Sequence, residues 1–239
     1  MKILLLILFF PCFLNAKESM GYDFSLTSYY SVSKGNVEET VKQTGVTQNT
    51  SQNSFLTLEL RGGIHPRENN LYFYSWNLYY SQLKSDEVTL GEKINPPPAW
   101  GLSIHYNRNI ENWYASPFVG VDVESFSTFN TDEARINGNS LSFRQHNVSY
   151  GTIGLSKSFR IDQVNFFAQA SFSYSVYSTS DKTNSLSDEN FTGLKYMTYL
   201  GFSLSENTLF HMFYKRHIMS GPTELRISRF GIGLGLNIF

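Results

Sequence analysis

The chain has 239 residues and a near balance of 19 Lys and Arg against 20 Asp and Glu, a formal charge of −1. That balance excludes a basic surface for nucleic acid, and the single cysteine, Cys12, excludes a disulfide framework or a thiolate metal site. Aromatic residues reach 16%, yet no long apolar run follows residue 16. Any passage through a membrane therefore has to be made by strands closed into a barrel, because lipid leaves an open sheet edge unsatisfied.

The N-terminus reads as a secretory signal peptide over residues 1–16. Lys2 is a minimal positive region, Ile3 to Leu14 is an apolar segment interrupted by Pro11, and Leu14-Asn15-Ala16 places the cut after Ala16. The apolar segment is too short for a spanning helix, which takes ~20 residues. Phe9-Phe10-Pro11 lacks the small residues of a lipoprotein signal, so Cys12 is not a lipidation site. Cleavage would leave a domain of residues 17–239 without cysteine and, having lost Lys2, with 18 basic against 20 acidic residues and a charge of −2.

Period-2 alternation then recurs along the chain. The first strand, near 20–33, sets Tyr22, Phe24, Leu26, Tyr30 and Val32 against Asp23, Ser25, Thr27 and Ser31. The second, near 54–64, sets Leu56, Leu58, Leu60 and Ile64 against Thr57, Glu59 and Arg61. The third, near 71–83, puts Tyr72, Tyr74, Trp76, Leu78 and Tyr80 on the apolar face, and the fourth, near 99–107, puts Trp100, Leu102, Ile104 and Tyr106 there. The fifth, near 114–126, opposes Val119, Val121 and Val123 to Gly120, Asp122 and Glu124. The sixth, near 147–159, is weaker, with Ile153, Leu155 and Phe159 apolar. The seventh, near 164–178, opposes Phe166, Ala168, Ala170, Phe172, Tyr174 and Val176 to Asn165, Gln169 and three serines. The eighth, near 192–204, sets Leu194, Tyr196, Leu200 and Phe202 against Lys195, Gly201 and Ser203. The ninth, near 209–218, pairs Phe210, Met212 and Tyr214 with His211 and Lys215. The tenth, from about 225 to 239, alternates Phe230, Ile232, Leu234, Leu236 and Ile238 with Gly231, Gly233 and Gly235, and it ends on Phe239.

The connections alternate in length. Residues 34–53, 84–98, 127–146 and 179–191 form long polar loops, whereas those near 65–70, 108–113, 160–163 and 205–208 are short. Tyr22, Tyr72, Tyr106 and Trp113 mark one rim, and Tyr30, Tyr80 and Trp100 the other, as interfacial aromatics do. The face opposite the apolar one is small and polar, which makes a poor soluble core. The reading is an all-β, transmembrane, antiparallel up-and-down barrel of ten strands, with eight or twelve left open. It sits in the bacterial outer membrane as a monomer, its long loops facing the cell exterior.

This architecture resembles small outer-membrane barrels of Gram-negative bacteria, in the broad OmpA- and OmpX-like sense. The resemblance covers the whole mature chain and is one of pattern. It implies periplasmic chaperones and the barrel-assembly machinery as partners, with Phe239 as the assembly signal, and outer-membrane lipids and lipopolysaccharide as surroundings. The register departs from the family pattern: two, four and six residues before the last stand Asn237, Gly235 and Gly233, with the apolar set offset by one.

The inward face holds Asp23, Glu59, Asp122 and Glu124 with Arg61, Lys195, Lys215 and Arg229. Charges in a narrow lumen stay ionised when paired or hydrated, so these eight predict a salt-bridged plug; a small hydrophilic pore is the alternative. Asp122 and Glu124 share a face and could support acid–base chemistry. Ten strands and such a pair resemble the omptin outer-membrane proteases, but the Asp-x-His that faces the pair in that family is missing here. His217 and Ser220 resemble the His-x-Ser of outer-membrane lipid A deacylases, one residue too far apart for a single strand face. His105 and His211 are single inward histidines expected to be hydrogen-bonded lumen residues, with no metal and no cofactor. The function expected is structural or surface-interactive with a plugged lumen, more simply non-enzymatic than enzymatic. The alternatives are a narrow diffusion channel or an enzyme acting on lipid A, and no surface partner is legible.

Overall fold

The computed structural model describes residues 22–42, 45–67, 71–85, 88–89, 92–93, 95–130, 142–180, 190–205 and 207–238. The segment read as a signal peptide and Phe239 lie outside the described residues. The strands are β1 (Tyr22–Val41), β2 (Thr47–Pro66), β3 (Tyr72–Ser85), β4 (Val88–Thr89), β5 (Glu92–Lys93), β6 (Ala99–Arg108), β7 (Ser116–Asn130), β8 (Ser142–Ile161), β9 (Val164–Ser180), β10 (Thr192–Ser203), β11 (Thr208–Ser220) and β12 (Thr223–Asn237). Ten of them close into one antiparallel up-and-down barrel, each beside its neighbour in sequence, while β4 and β5 form a small ladder in the connection from β3 to β6. The seam is β1 against β12, in register from Thr27 opposite Asn237 to Val41 opposite Thr223. The start of β1, the end of β12 and the turns after β2, β6, β8 and β10 lie at one end of the barrel, the termini end; the connections after β1, β3, β7, β9 and β11 lie at the other, the loop end.

Alternation sorts the wall as expected over the termini half. Leu58, Leu78, Ile104, Val121, Ile153 and Phe172 project outward and are exposed, whereas Thr57, Asp122, Thr152 and Ser173 project inward and are buried. Apolar side chains recur along the outer face from Phe24 to Val32 on β1, with Ser28 among them, and from Phe230 through β12 to Ile238. Those lengths are about the 9–11 tilted residues that a bilayer crossing takes. Tyr30, Leu58, Tyr80 and Trp100 lie side by side across β1, β2, β3 and β6 along the upper edge of this belt. Tyr72, Tyr74 and Tyr106 meet at the opposite edge, with ring centroids 5.5–6.1 Å apart.

Beyond the belt the wall reverses. Its outward residues include Lys34, Asn36, Lys84, Arg216, Glu224 and Arg226, all exposed, with a few apolar ones such as Tyr177 and Ile218. Inside the same section, Val37, Phe126, Val148, Phe191, Met219, Leu225 and Ile227 pack around Tyr150 as a buried apolar cluster. The loop half therefore gathers an apolar cluster within, among buried polar groups such as Glu39, Thr128 and His146, and stands on a membrane barrel whose apolar face is outside. This corrects the expectation of a uniformly small, polar lumen. It also corrects two of the long loops: most of 34–53 is paired strand in β1 and β2, and β7 and β8 take up much of 127–146. These stretches have polar residues on the outer face because water, not lipid, meets them, so they lose the apolar outward positions that mark a membrane strand.

Two bulges manage the transition. Phe55 is the extra residue of β2 between Ser54 and Leu56, so Thr57 and Glu59 point inward below it and Gln52 and Ser54 above it. Val176 is the extra residue of β9; Ser173 and Ser175 point inward below it and Ser178 above it, leaving Tyr177 outside. One added residue inverts the inward parity of everything beyond it.

In β12 the inward glycines make room for rings. A Cβ at Gly233 would lie 2.5 Å from both Ser31 Cβ and the Tyr30 carbonyl oxygen, and against His211 Nε2; one at Gly235 would lie 2.5 Å from Tyr29 Cδ1, and one at Gly231 2.5 Å from Phe213 Cζ. The closing strand can thus lie close to β1 and β11 only without side chains at these places. Gly233→Ala is expected to destabilise the refolded barrel by about 2 kcal/mol or more, within the usual range for overpacking. Gly151→Ala, whose Cβ would meet only Val176 Cγ1 at 3.9 Å, should leave urea unfolding nearly unchanged. Equal midpoints for the two variants would refute this account of the seam. A second expectation follows from the belt: Val121→Arg should cost ~2–4 kcal/mol in lipid vesicles, against almost nothing for Asn36→Arg. Equal tolerance at the two sites would place the belt elsewhere.

Candidate functional site

Inward positions on β6, β7, β8, β10 and β11 converge at the level where the exterior turns from apolar to polar. Asp122 and Glu124, two residues apart on β7, face Lys195 of β10 and Lys215 of β11. Lys195 Nζ is ion-paired with Asp122 Oδ2 and lies 2.8 Å from Glu124 Oε1. Lys215 Nζ lies 2.6 Å from Glu124 Oε2. All four side chains are buried. Neutral partners complete the cluster: Thr152 donates to Asp122 at 2.7 Å, Tyr79 donates to Glu124 at 3.1 Å, and Lys215 donates to the Tyr79 oxygen at 3.1 Å. His105 Nε2 lies 2.8 Å from Asp122 Oδ1. His217 Nε2 lies 3.6 Å from Glu124, while its Nδ1 is 2.9 Å from the Tyr150 hydroxyl. The lysine ammonium groups also sit over rings, Lys195 4.8 Å from Tyr150 and Lys215 4.5 Å from Tyr79, where the negative π face attracts a cation.

The other predicted residues fall in different places. Glu59 and Arg61 pair with each other on β2, and Arg61 stacks 3.6 Å over the Tyr199 ring. Arg229 donates to Ser33 Oγ at 3.4 Å. Asp23 is outside the lumen cluster: it lies at the exposed termini rim with Arg67 at 2.9 Å, because the wall there has run past the enclosed section. His217 and Ser220 are not brought together, since an odd separation on a strand puts them on opposite faces. His217 is buried in the lumen, whereas Ser220 is exposed and accepts a hydrogen bond from Lys42 Nζ at 2.9 Å. His211, expected to be hydrogen-bonded, is instead packed and fully buried against the Tyr29 and Tyr199 rings, 4.5 and 5.4 Å between centroids, with neither ring nitrogen hydrogen-bonded among the described residues. Among the described residues no group of three or more His, Cys, Asp or Glu could hold a metal ion.

Sequence reasoning passed over Tyr79, Tyr150 and Tyr199. Tyr79 and Tyr199 stand at inward positions of clearly alternating strands, so parity alone marks them. Tyr150 stands in a stretch of β8 that lacks an apolar outer face, so no alternation marks it.

The arrangement separates the lumen into three levels. From the turn at Asn109–Ser116 up to Arg61 and Asp122 runs a cavity of about 990 Å³, lined by Ser, Thr and Asn with Tyr29, Phe73 and Tyr199. The ion pairs close its upper part, and the apolar cluster lies beyond them. Chemically, Asp122 and Glu124 face ammonium groups rather than each other alone. A carboxylate held in that way is engaged as an acceptor and has no proton to give.

No protein-family model matches this sequence, and no curated protein matches it either. Solved structures do resemble it in fold. The outer-membrane protease OmpT from Escherichia coli aligns over 91% of this chain and 96% of its own, with a TM-score of 0.50 and 10% identity. The β domain of the Bordetella autotransporter BrkA aligns over 90% and 99% with a TM-score of 0.47 and 8% identity. Neisserial surface protein A aligns over 90% and 98% with a TM-score of 0.38 and 9% identity. With its apolar belt, its closed seam and this likeness, the chain is an integral ten-stranded β-barrel of the bacterial outer-membrane type.

Proposed function

We propose that this barrel serves a structural or surface-interaction role in the outer membrane, with a lumen closed to diffusion. The observation that carries the reading is the buried set of Asp122, Glu124, Lys195 and Lys215, capped by an apolar cluster. Enclosed charges satisfied by one another have no reason to admit a stream of ions, and the apolar layer above them repels water. The polar-walled loop half then projects from the cell and offers its hairpins to partners. Lys34 and Arg216 stand exposed just above the belt, where lipopolysaccharide phosphates would lie. The protease named among the structural neighbours does not carry over, because both paired carboxylates here are held by lysines.

Refolded wild-type protein in planar bilayers should give negligible steady current. Lys195→Met should cost roughly 3–5 kcal/mol, the usual penalty for breaking one side of a buried pair, with no new ion preference. Large single-channel currents from the wild type, altered in selectivity by Lys215→Glu at unchanged melting, would establish the channel instead. Orientation has its own test. Gly45, at φ 66° in the β1–β2 turn, would meet nothing within 4 Å if given a side chain, so an epitope inserted there should fold. Antibody should bind it on intact cells; binding only after permeabilisation would invert the topology.

A further inference from the structure

Among the described residues, the central level of the lumen holds one more cation than its carboxylates match. Asp122 and Glu124 are met by Lys195 and Lys215, and Glu59 by Arg61. Arg229 is left over: among the described residues no carboxylate oxygen lies within 4.0 Å of it, and its hydrogen bond to Ser33 Oγ is long, at 3.4 Å. A guanidinium carries five N–H donors in a fixed fork and stays charged inside a protein. Half-buried on the inner side of β12, such a charge is costly unless an opposite charge or water meets it, and an opposite charge meets it best.

Arg229 does not face solid packing. It lines a cavity of about 60 Å³ together with Lys215, His217, Tyr79 and Gln52. One water needs about 10–15 Å³ of such space, so the cavity has room for a small ion and a few waters. Glu59 and Glu124 also line it, but each is already engaged by its own cation. Arg229 and Lys215 bring cationic donors to it, and Asn77 and Ser103 bring neutral ones.

We propose that this cavity is a buried anion site, in which a small monovalent inorganic anion of the halide class sits against the Arg229 guanidinium and neutralises the layer. Size sets the class: the space suits a chloride or bromide with a little water and excludes bulky organic anions. Such a site needs only the excess cation and the cavity, whether or not the barrel conducts.

The test is thermal unfolding of the refolded full barrel in detergent, with chloride exchanged for gluconate at constant ionic strength. Wild-type melting should rise with the logarithm of chloride once the site fills, since a ligand bound only to the folded state stabilises it by mass action. Arg229→Met should remove that dependence and, in gluconate, melt no lower than the wild type, because the uncompensated cation is gone. Arg226→Met, an exposed site paired with Glu38 at 3.2 Å, should keep the wild-type chloride response. Crystals of the wild type grown in bromide should show an anomalous peak beside Arg229, a readout that does not need the variant to refold. Identical melting in chloride and gluconate, a chloride response that survives Arg229→Met, or an empty cavity in the bromide crystals would each overturn the proposal.

Discussion

Lipid offers no hydrogen bonds, so the seam between β1 and β12 is the interaction on which the rest of this barrel depends. An unsealed edge would leave a row of peptide groups in hydrocarbon, each costing several kcal/mol, roughly. Sealing requires the last strand to approach β1 closely while Tyr29, His211 and Phe213 occupy the inner side. Gly231, Gly233 and Gly235 reconcile those demands by leaving the inner side of β12 empty. Once the seam is closed, every inward residue of ten strands shares one narrow space, and each polar group there has to be satisfied by the others or by a little enclosed water.

The wall also meets two solvents along its length. Over the belt the outside is apolar, so contrast in polarity has to come from small hydroxyl and amide residues within. Above it the outside is wet, and the driving force for apolar burial returns to the interior, where Val37, Phe126, Val148 and Leu225 collect. The bulges at Phe55 and Val176 lie at this change, where they re-aim the strands without breaking the ladder. Membrane and soluble barrel logic thus coexist in one continuous sheet.

That division explains where the ions sit. Asp122, Glu124, Lys195 and Lys215 occupy the boundary, with a hydrophilic cavity of about 990 Å³ on one side and the apolar cluster on the other. Placed higher, they would lie against the apolar side chains of that cluster. At the boundary each finds an opposite charge, and Tyr79, Thr152 and His105 take up remaining hydrogen-bonding capacity. The same geometry decides the chemistry open to the carboxylates. Two acids on one strand face are equally compatible with a catalytic pair and with a lattice of ion pairs, and the two lysines from across the barrel select the latter.

The barrel class, its ten strands and the lipid-facing set were legible in the residues themselves, because a strand alternates with period 2 and lipid tolerates only apolar side chains. Val119, Val121 and Val123 could face nothing else, and inward Asp122 and Glu124 follow from them by parity. The upper ends of β1, β2, β7 and β8 were not legible, since water outside removes the apolar outward positions that mark a strand. Nor could alternation show the bulges, which invert parity by a single unremarkable residue, Phe55 or Val176. Which charges meet was beyond the sequence altogether. Asp23 and Asp122 both read as inward acids, yet closure carries one to an exposed rim beside Arg67 and the other between Lys195 and His105. Parity along a strand is a local property of the backbone and is written in the chain; height around a closed, tilted sheet depends on the register of every neighbouring pair, and only the folded barrel sets it.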